Sequence, residues 1–509
     1  MKKVIATLLT GALFASSVCT VPTFAAESDK TMTIATNFSY DTIDPHDGNS
    51  SWYNGIYGLT ENLFKIADDF SIQPCLAEKG EMDGNIWTIT LKDNLVFSNG
   101  NPVTPEMVIR NLQRAAEVNP KASFMENFTY ETVDQKTFKI ICDAEYPTLL
   151  NTLSTPGYAI ADLDATTEFT SKLVATGPFV IEKFEPGNLV SVSKNEQYWD
   201  GEVQMNQVDF YYMQDDDAKL MAMQNGELDA YTGVTAAAKE MYEAEPDTYD
   251  VVTRPATRLQ FYLLNKSNLS DNIRKAINLT VDAKAMEAYL GGTVSATSGP
   301  FNSSSSYGKA EAPEVDTEQA KTLIEEDGYT LNKDGFYEKD GNVLTLNISY
   351  YAARSLDVIA TLMQEQLKNI GIQSELVCEE NPDATYMKTG NFDIALYCCI
   401  ADMTGDPQYF IDGLVNGAYT IGGFDNEECK TLYEELSHET DPAKRAELAN
   451  QIIQLIIDDN SFGFISLFNK ITVLKKGVSN YAENSPFDFY GISKDTIKLY
   501  HSIFIGVYL

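Results

Sequence analysis

Apolar positions repeat with two different periods along this chain. Residues 86–96 read Ile-Trp-Thr-Ile-Thr-Leu-Lys-Asp-Asn-Leu-Val, an alternating, β-branched run that predicts a strand. Asn99-Gly100-Asn101-Pro102 predicts a turn. Thr104-Pro105-Glu106 then opens a helix, with a threonine cap, proline at the first position and an acid in the first turn. Val108, Leu112 and Ala115 give that helix one apolar face. Ser270-Asp271 predicts a second capped helix carrying Ile273, Ile277 and Leu279, and Gly291-Gly292 stops the following segment. Ser355 predicts a cap for a third helix, with Leu356, Ile359, Ala360, Met363, Leu367 and Ile370 on one stripe and Gly371 at its end. A strand is expected over 372–377. Asp441-Pro442 opens a helix bearing Leu448, Ile452, Ile453 and Ile456, followed by strands over 462–468 and 471–474. Residues 297–308, with four serines at 303–306, predict a loop. Helices and strands intermix from end to end, which predicts an α/β class with mixed sheets. There is no internal repeat.

Composition narrows the picture. The 509 residues, 44% of them hydrophobic and rich in Tyr and Phe, suffice for two or three lobes around large cores and exclude a disordered or collagen-like chain. The balance of 37 Lys+Arg against 74 Asp+Glu gives a net charge of −37. A chain this acidic repels polyanions, which argues against nucleic acid as a partner. The acidity reads as surface solubility, with an acidic face for cationic ligands as the alternative. Six cysteines follow the N-terminal segment, at 75, 142, 378, 398, 399 and 429, without a C-x-x-C. Their even number permits disulfides, but their apolar surroundings favour small buried hydrophobes.

Several stretches resemble, in order, the motifs of the extracytoplasmic solute-binding proteins of ABC importers, in the peptide- and nickel-binding family. The longest runs from Trp87 to Val108. Asp44-Pro45, Thr176-Gly177-Pro178-Phe179 with Pro186-Gly187, Asn195 and Tyr198-Trp199-Asp200-Gly201, then Gly226-Glu227-Leu228-Asp229, and Ile273-Arg274-Lys275-Ala276-Ile277 with Asp282 match the others. These motifs read as strand, turn, cap and packed aromatic, so they speak to fold rather than ligand. The resemblance implies a three-lobed periplasmic-binding-protein-like fold with an interdomain cleft. Lobe I is then discontinuous (26–44, 172–258 and 481–509), lobe II is an extra lobe (45–171) and lobe III covers 259–480. Hinges are expected near Lys172 and Arg258, so that the lobes close over a ligand. It further implies capture of a small solute, foremost a short peptide, by a monomer that delivers it to an ABC permease, with no cofactor and no catalysis. A nickel or other metal chelate is the alternative ligand.

The informative segment for the ligand is 392–402, Phe-Asp-Ile-Ala-Leu-Tyr-Cys-Cys-Ile-Ala-Asp, an apolar strand that stops at an acid. By resemblance Asp402 pairs with a peptide's α-ammonium; the competing reading is a turn cap ahead of Met403-Thr404-Gly405-Asp406-Pro407. Cys399 and Met403 stand where peptide binders carry aromatic residues, and Leu396 where some carry arginine, which implies a less aromatic site. Arg354 is expected either to meet a ligand carboxylate or to be a surface arginine. A directly ligated metal is not expected, because His46, His438 and His501 lie far apart and His438 sits among Glu434, Glu435 and Glu439. A chelated metal held through its organic chelator needs no histidine.

A serine enzyme of the penicillin-binding type is the reading from another class. It rests on Ser191-Val192-Ser193-Lys194, Ser270-Asp271-Asn272 and Lys388-Thr389-Gly390. Ser191 falls in an alternating run, where a strand and not the required helix start is expected, and Lys388-Thr389-Gly390 precedes its strand. No P-loop, G-x-G-x-x-G, H-E-x-x-H or G-x-S-x-G occurs.

The first 25 residues read as an export signal. Lys2 and Lys3 form a basic start, 4–18 is uncharged and mostly apolar, and Thr23-Phe24-Ala25 is a small-x-small cleavage pattern. Cys19 offers a second route, lipid attachment, although Ser16 and Val18 flank it poorly. The exported protein is expected in the periplasm or at the outer face of the cytoplasmic membrane. It is predicted to begin at Ala26, which N-terminal sequencing checks; a diacylglycerol on Cys19 overturns it.

Overall fold

Two long antiparallel strands, Tyr249–Leu264 and Phe462–Lys475, run through the middle of an 11-stranded mixed sheet. Both are dense in β-branched and aromatic residues, which suits a pleated, doubly covered surface. Their pairing runs from Tyr249↔Lys475 to Leu263↔Phe462, with irregularities between Pro255 and Leu259 and between Gln260 and Phe261. Pro255 has no N–H to give the ladder, so a disruption there is expected. Gly463 admits no side chain, since a Cβ would lie 1.9 Å from the Tyr262 ring. The computed structural model that shows this describes residues 30–166, 168–483 and 485–499.

On one side of the crossing strands lie Ile394–Ile400, Thr345–Tyr350 and Gln373–Cys378, the last two parallel to each other. The helices Asp271–Thr280, Thr317–Glu326 and Leu356–Asn369 pack there around Ile273, Ile277, Ile324, Ile348 and Met363. On the other side lie Ala230–Thr232, Thr31–Thr36, Gln207–Tyr212, Leu189–Lys194 and Phe179–Glu185. A separate four-stranded sheet, Ala77–Asp83, Ile86–Leu91, Thr137–Ile141 and Thr129–Thr132, carries the Pro105–Val118 helix on a core of Trp87, Ile89, Val108 and Leu112. The result is a multi-lobed α/β fold of the expected class.

Local chemistry explains most element ends. Thr104 accepts from the Met107 N–H, and Ser270 from that of Ile273. Ser191 lies in the Leu189–Lys194 strand, and Lys388-Thr389 ends a short helix, Tyr386–Thr389, whose next residue Gly390 is left-handed. Three expectations need correction. The strand expected over 86–96 stops at Leu91, because Asn94 turns the chain at φ +58°. The two strands expected over 462–474 are one. Ser355 precedes its helix in a left-handed conformation and makes no side-chain cap. Residues 297–308 form the expected loop, with Phe301, Ser305 and Tyr307 buried. Arg258 lies on the first crossing strand, and Lys172 is an exposed loop residue ahead of the Phe179–Glu185 strand. The six cysteines are free thiols: Cys142, Cys398 and Cys429 are buried, Cys75 and Cys399 half-buried. Cys378 departs from the buried reading, being exposed where its strand ends at the sheet edge.

The helices Gln408–Val415, Glu427–His438 and Pro442–Asp458 are tied to one another by one buried cation. Arg445 donates to both carboxylate oxygens of Asp406 at 2.8 Å, to the carbonyls of Leu436 and Glu439, and to Gln408 Oε1. Its charge is paired and its donors are used, which is the condition for tolerating a buried ion. Arg445→Met strands the Asp406 carboxylate and should lower unfolding free energy by about 3–5 kcal/mol, read by urea denaturation.

Candidate functional site

A cavity of about 640 Å³ opens where the two sides of the large sheet meet the 48–56 segment and the chain's C-terminal stretch. Both crossing strands contribute to its wall, Arg258 from the first and Phe468, Asn469 and Lys470 from the second. Trp52 and Tyr53 come from the Ser50–Ile56 helix, whose start is held by Asp47 accepting from the Ser50 N–H at 2.8 Å. Trp52 meets Phe489 edge-on at 5.4 Å, and Tyr53 meets Tyr40 at the same distance. Tyr481 and Tyr490 complete an aromatic lining, and the Tyr490 hydroxyl accepts from the Ile66 N–H at 2.8 Å. A volume of this size with aromatic walls and few convergent polar groups is the form of a small-molecule site. A second cavity, about 480 Å³, lies between the Asp271–Thr280 helix and residues 312–315, on one side of the sheet only.

The charges around the cleft run against the protein's balance. Lys121, Arg258, Arg354 and Lys470 line it, with Asp488 as an acid beside them. Lys470 is an internal tie: its Nζ donates to the Phe487 carbonyl at 2.9 Å and the Ser485 carbonyl at 3.3 Å. Burial pushes its pKa down to about 8, with Asp488, Glu483 and Asp68 opposing. The ammonium therefore remains largely protonated at neutral pH. Arg258 pairs in register with Ile400 and lies near the Cys398 thiol. Neither Arg258 nor Arg354 forms an ion pair among the described residues. Two guanidinium groups facing one cavity can grip a carboxylate bidentately.

The sequence-based candidates divide. Arg354 and Met403 line the cavity; Cys399 and Asp402 are not among its lining residues. Cys399 pairs with Leu259 and packs into the core with Tyr419, and burial raises its thiol pKa to about 12. Asp402 is only 3% exposed. Its Oδ2 accepts from the Tyr307 hydroxyl at 2.5 Å, and its Oδ1 from the N–H groups of Gly405 at 2.8 Å and Thr404 at 3.1 Å. Asp402 thus makes the cap hydrogen bonds of the competing reading, to the turn at 403–407, and the buried 301–307 loop adds Tyr307 as a third donor. Arg258, Trp52, Tyr53 and Tyr490 were missed as lining residues. A charged residue within the otherwise apolar and neutral run 255–264 was the available signal for Arg258.

The chain belongs to the bacterial extracellular solute-binding proteins, family 5, whose middle-region model matches residues 71–420. It is 25% identical over 433 residues to the nickel-binding protein NikA of Staphylococcus aureus, spanning 83% of this chain and 86% of that one. It is 24% identical over 471 residues to the dipeptide-binding protein DppE of Bacillus subtilis, spanning 84% and 85%. Its fold matches a nickel ABC transporter structure from Bacillus halodurans with a TM-score of 0.85 and 26% identity, over 92% of this chain and all of the other. The protein is a solute-binding protein and not an enzyme.

Burial raises the Asp402 pKa to about 7, with the Asp406 charge adding to it; the Tyr307, Gly405 and Thr404 donors pull the other way. A folded pKa above the unfolded value of 3.8 means that the folded state holds the extra proton. The stability so gained is full below about pH 4 and is lost as pH rises to about 7. The stability difference between wild type and Asp402→Asn is accordingly predicted to shift in favour of wild type as pH falls from 7.5 to 5. Urea denaturation at the two pH values measures it; a pH-independent difference contradicts the assignment.

Proposed function

We propose that the cleft captures a small, carboxylate-bearing solute outside the cytoplasmic membrane and presents it to an ABC permease for import. The observation that carries this reading is the pair Arg258 and Arg354, free of carboxylate partners among the described residues, on one cavity wall of a chain with net charge −37. Such a site attracts an anion only locally, so the guanidinium groups must act at contact range. A short peptide fits first: its terminal carboxylate meets the arginines, its rings and aliphatic groups meet Trp52, Tyr53 and Tyr490, and Asp488 is an acid available to its ammonium. In this conformation Asp402 serves the peptide poorly, because an ammonium would have to displace three existing donors.

A second reading is favoured by the charge count of the wall. Four cations, Lys121, Arg258, Arg354 and Lys470, against one acid suit a solute with net negative charge, such as a metal held by an organic chelator whose carboxylates face outward. Among the described residues no group of three or more His, Cys, Asp and Glu side chains could hold a metal, so the chelator would supply the ligands. The relatives' names, which specify nickel in one case and a dipeptide in another, support keeping the two solutes together.

Titration calorimetry with trialanine, glutathione and nickel(II) bis-L-histidine tests the reading. Arg354→Ala should weaken the bound solute about tenfold to a hundredfold, the ~1.5–3 kcal/mol of one charge-assisted hydrogen bond. Amidating a bound peptide's C-terminus should weaken wild type similarly. Unchanged affinity in Arg354→Ala and Arg258→Ala sinks the carboxylate reading.

A further inference from the structure

Arg354 and Ser355 stand at φ +56° and +57°, two adjacent non-glycine residues in the left-handed region. L-residues visit that region singly, and a pair persists only where the surroundings enforce it. The enforcing contact is the Gln260 side chain, which is 0% exposed. Its Nε2 donates to the Arg354 carbonyl at 2.5 Å, and its Oε1 accepts from the Ser466 hydroxyl at 2.5 Å. The amide cannot be turned over, because a carbonyl oxygen only accepts and the group facing it must carry the hydrogens. Holding the carbonyl oxygen of residue 354 sets the plane of the 354–355 peptide, and that plane fixes ψ of Arg354 and φ of Ser355 together. Gln260 and Ser466 are partners on the two crossing strands, immediately before their register shifts to Phe261↔Phe464.

We propose that Gln260 is a positioning residue for ligand binding: it anchors the strained Arg354–Ser355 turn to the irregular crossing of the two strands and so aims Arg354 into the cleft. The proposal rests on the reading of Arg354 as a ligand-binding residue. It adds that the arginine's direction is set by the strand crossing. A helix that begins at Leu356 would otherwise let the preceding turn relax to negative φ, carrying the arginine side chain with it.

Gln260→Leu keeps the volume and removes both hydrogen bonds. A crystal structure of the ligand-free variant is expected to show Arg354 and Ser355 at negative φ; the pair remaining at positive φ overturns the proposal without reference to any ligand. Calorimetry with trialanine, glutathione and nickel(II) bis-L-histidine supplies the second arm. For a solute that binds wild type, Gln260→Leu should weaken binding at least tenfold. Gln260→Leu combined with Ser355→Gly, which removes the steric cost of the left-handed turn, should recover most of that loss, whereas a merely structural role for Gln260 predicts no rescue. If Arg354→Ala weakens the solute and Gln260→Leu does not, the positioning role falls and the carboxylate reading stands. If Arg354→Ala has no effect, the carboxylate reading falls by its own measurement. Should the leucine variant not fold, Gln260→Met, which likewise removes both hydrogen bonds at similar volume, takes its place with the same expectations.

Discussion

Everything near the cleft depends on how Tyr249–Leu264 lies against Phe462–Lys475. These strands belong to both sides of the large sheet, so any error in their register would displace Arg258 and Lys470 together. Three local features hold the register. Pro255 interrupts the ladder at a defined place, Gly463 admits the Tyr262 ring against bare backbone, and Gln260 bonds across to Ser466. A regular ladder would have been stiffer and straighter; an irregular one twists and bends at chosen points. The cavity sits beside those irregularities, so the structural weakness of the pairing and the recognition surface coincide.

The electrostatics are local. With twice as many acids as bases, the chain has a negative far field that does nothing to draw in an anionic solute. Under the proposed reading, recognition comes from a few cations acting at contact range, Lys470 sheltered in the cleft wall and Arg354 exposed at it. Lys470 illustrates what this shelter costs: burial erodes the charge it carries, and carbonyl acceptors from 485 and 487 retain it.

The fold class was legible because it is written in local signals: alternation in 86–91, the caps at Thr104 and Ser270, the stripe on 356–370. Where the reading failed, a single residue's backbone decided the outcome. Asn94 ended a strand and Ser355 declined to cap, both by adopting positive φ, which composition does not announce. The site was legible only in part. Arg354 and Met403 were visible as residues next to elements whose ends face a cleft. Asp402 was read as a ligand acid or a turn cap from its place after an apolar strand, but a third part of its environment comes from Tyr307, 95 residues away. A serine-rich loop gave no sign that its flanks, Phe301 and Tyr307, were buried. Long-range contact of this kind leaves no periodic trace.

The Lys498 ammonium reaches the Thr31 carbonyl, 467 residues away, and pairs with Asp229 at 2.7 Å. Thr31–Thr36 is itself flanked by strands from 207–212 and 230–232, and the latter pairs with Thr472–Leu474. The first strand of the described chain therefore cannot complete its surroundings until nearly the last has been synthesised. Loop closure over such separations is slow, and the unsatisfied strand edges persist meanwhile.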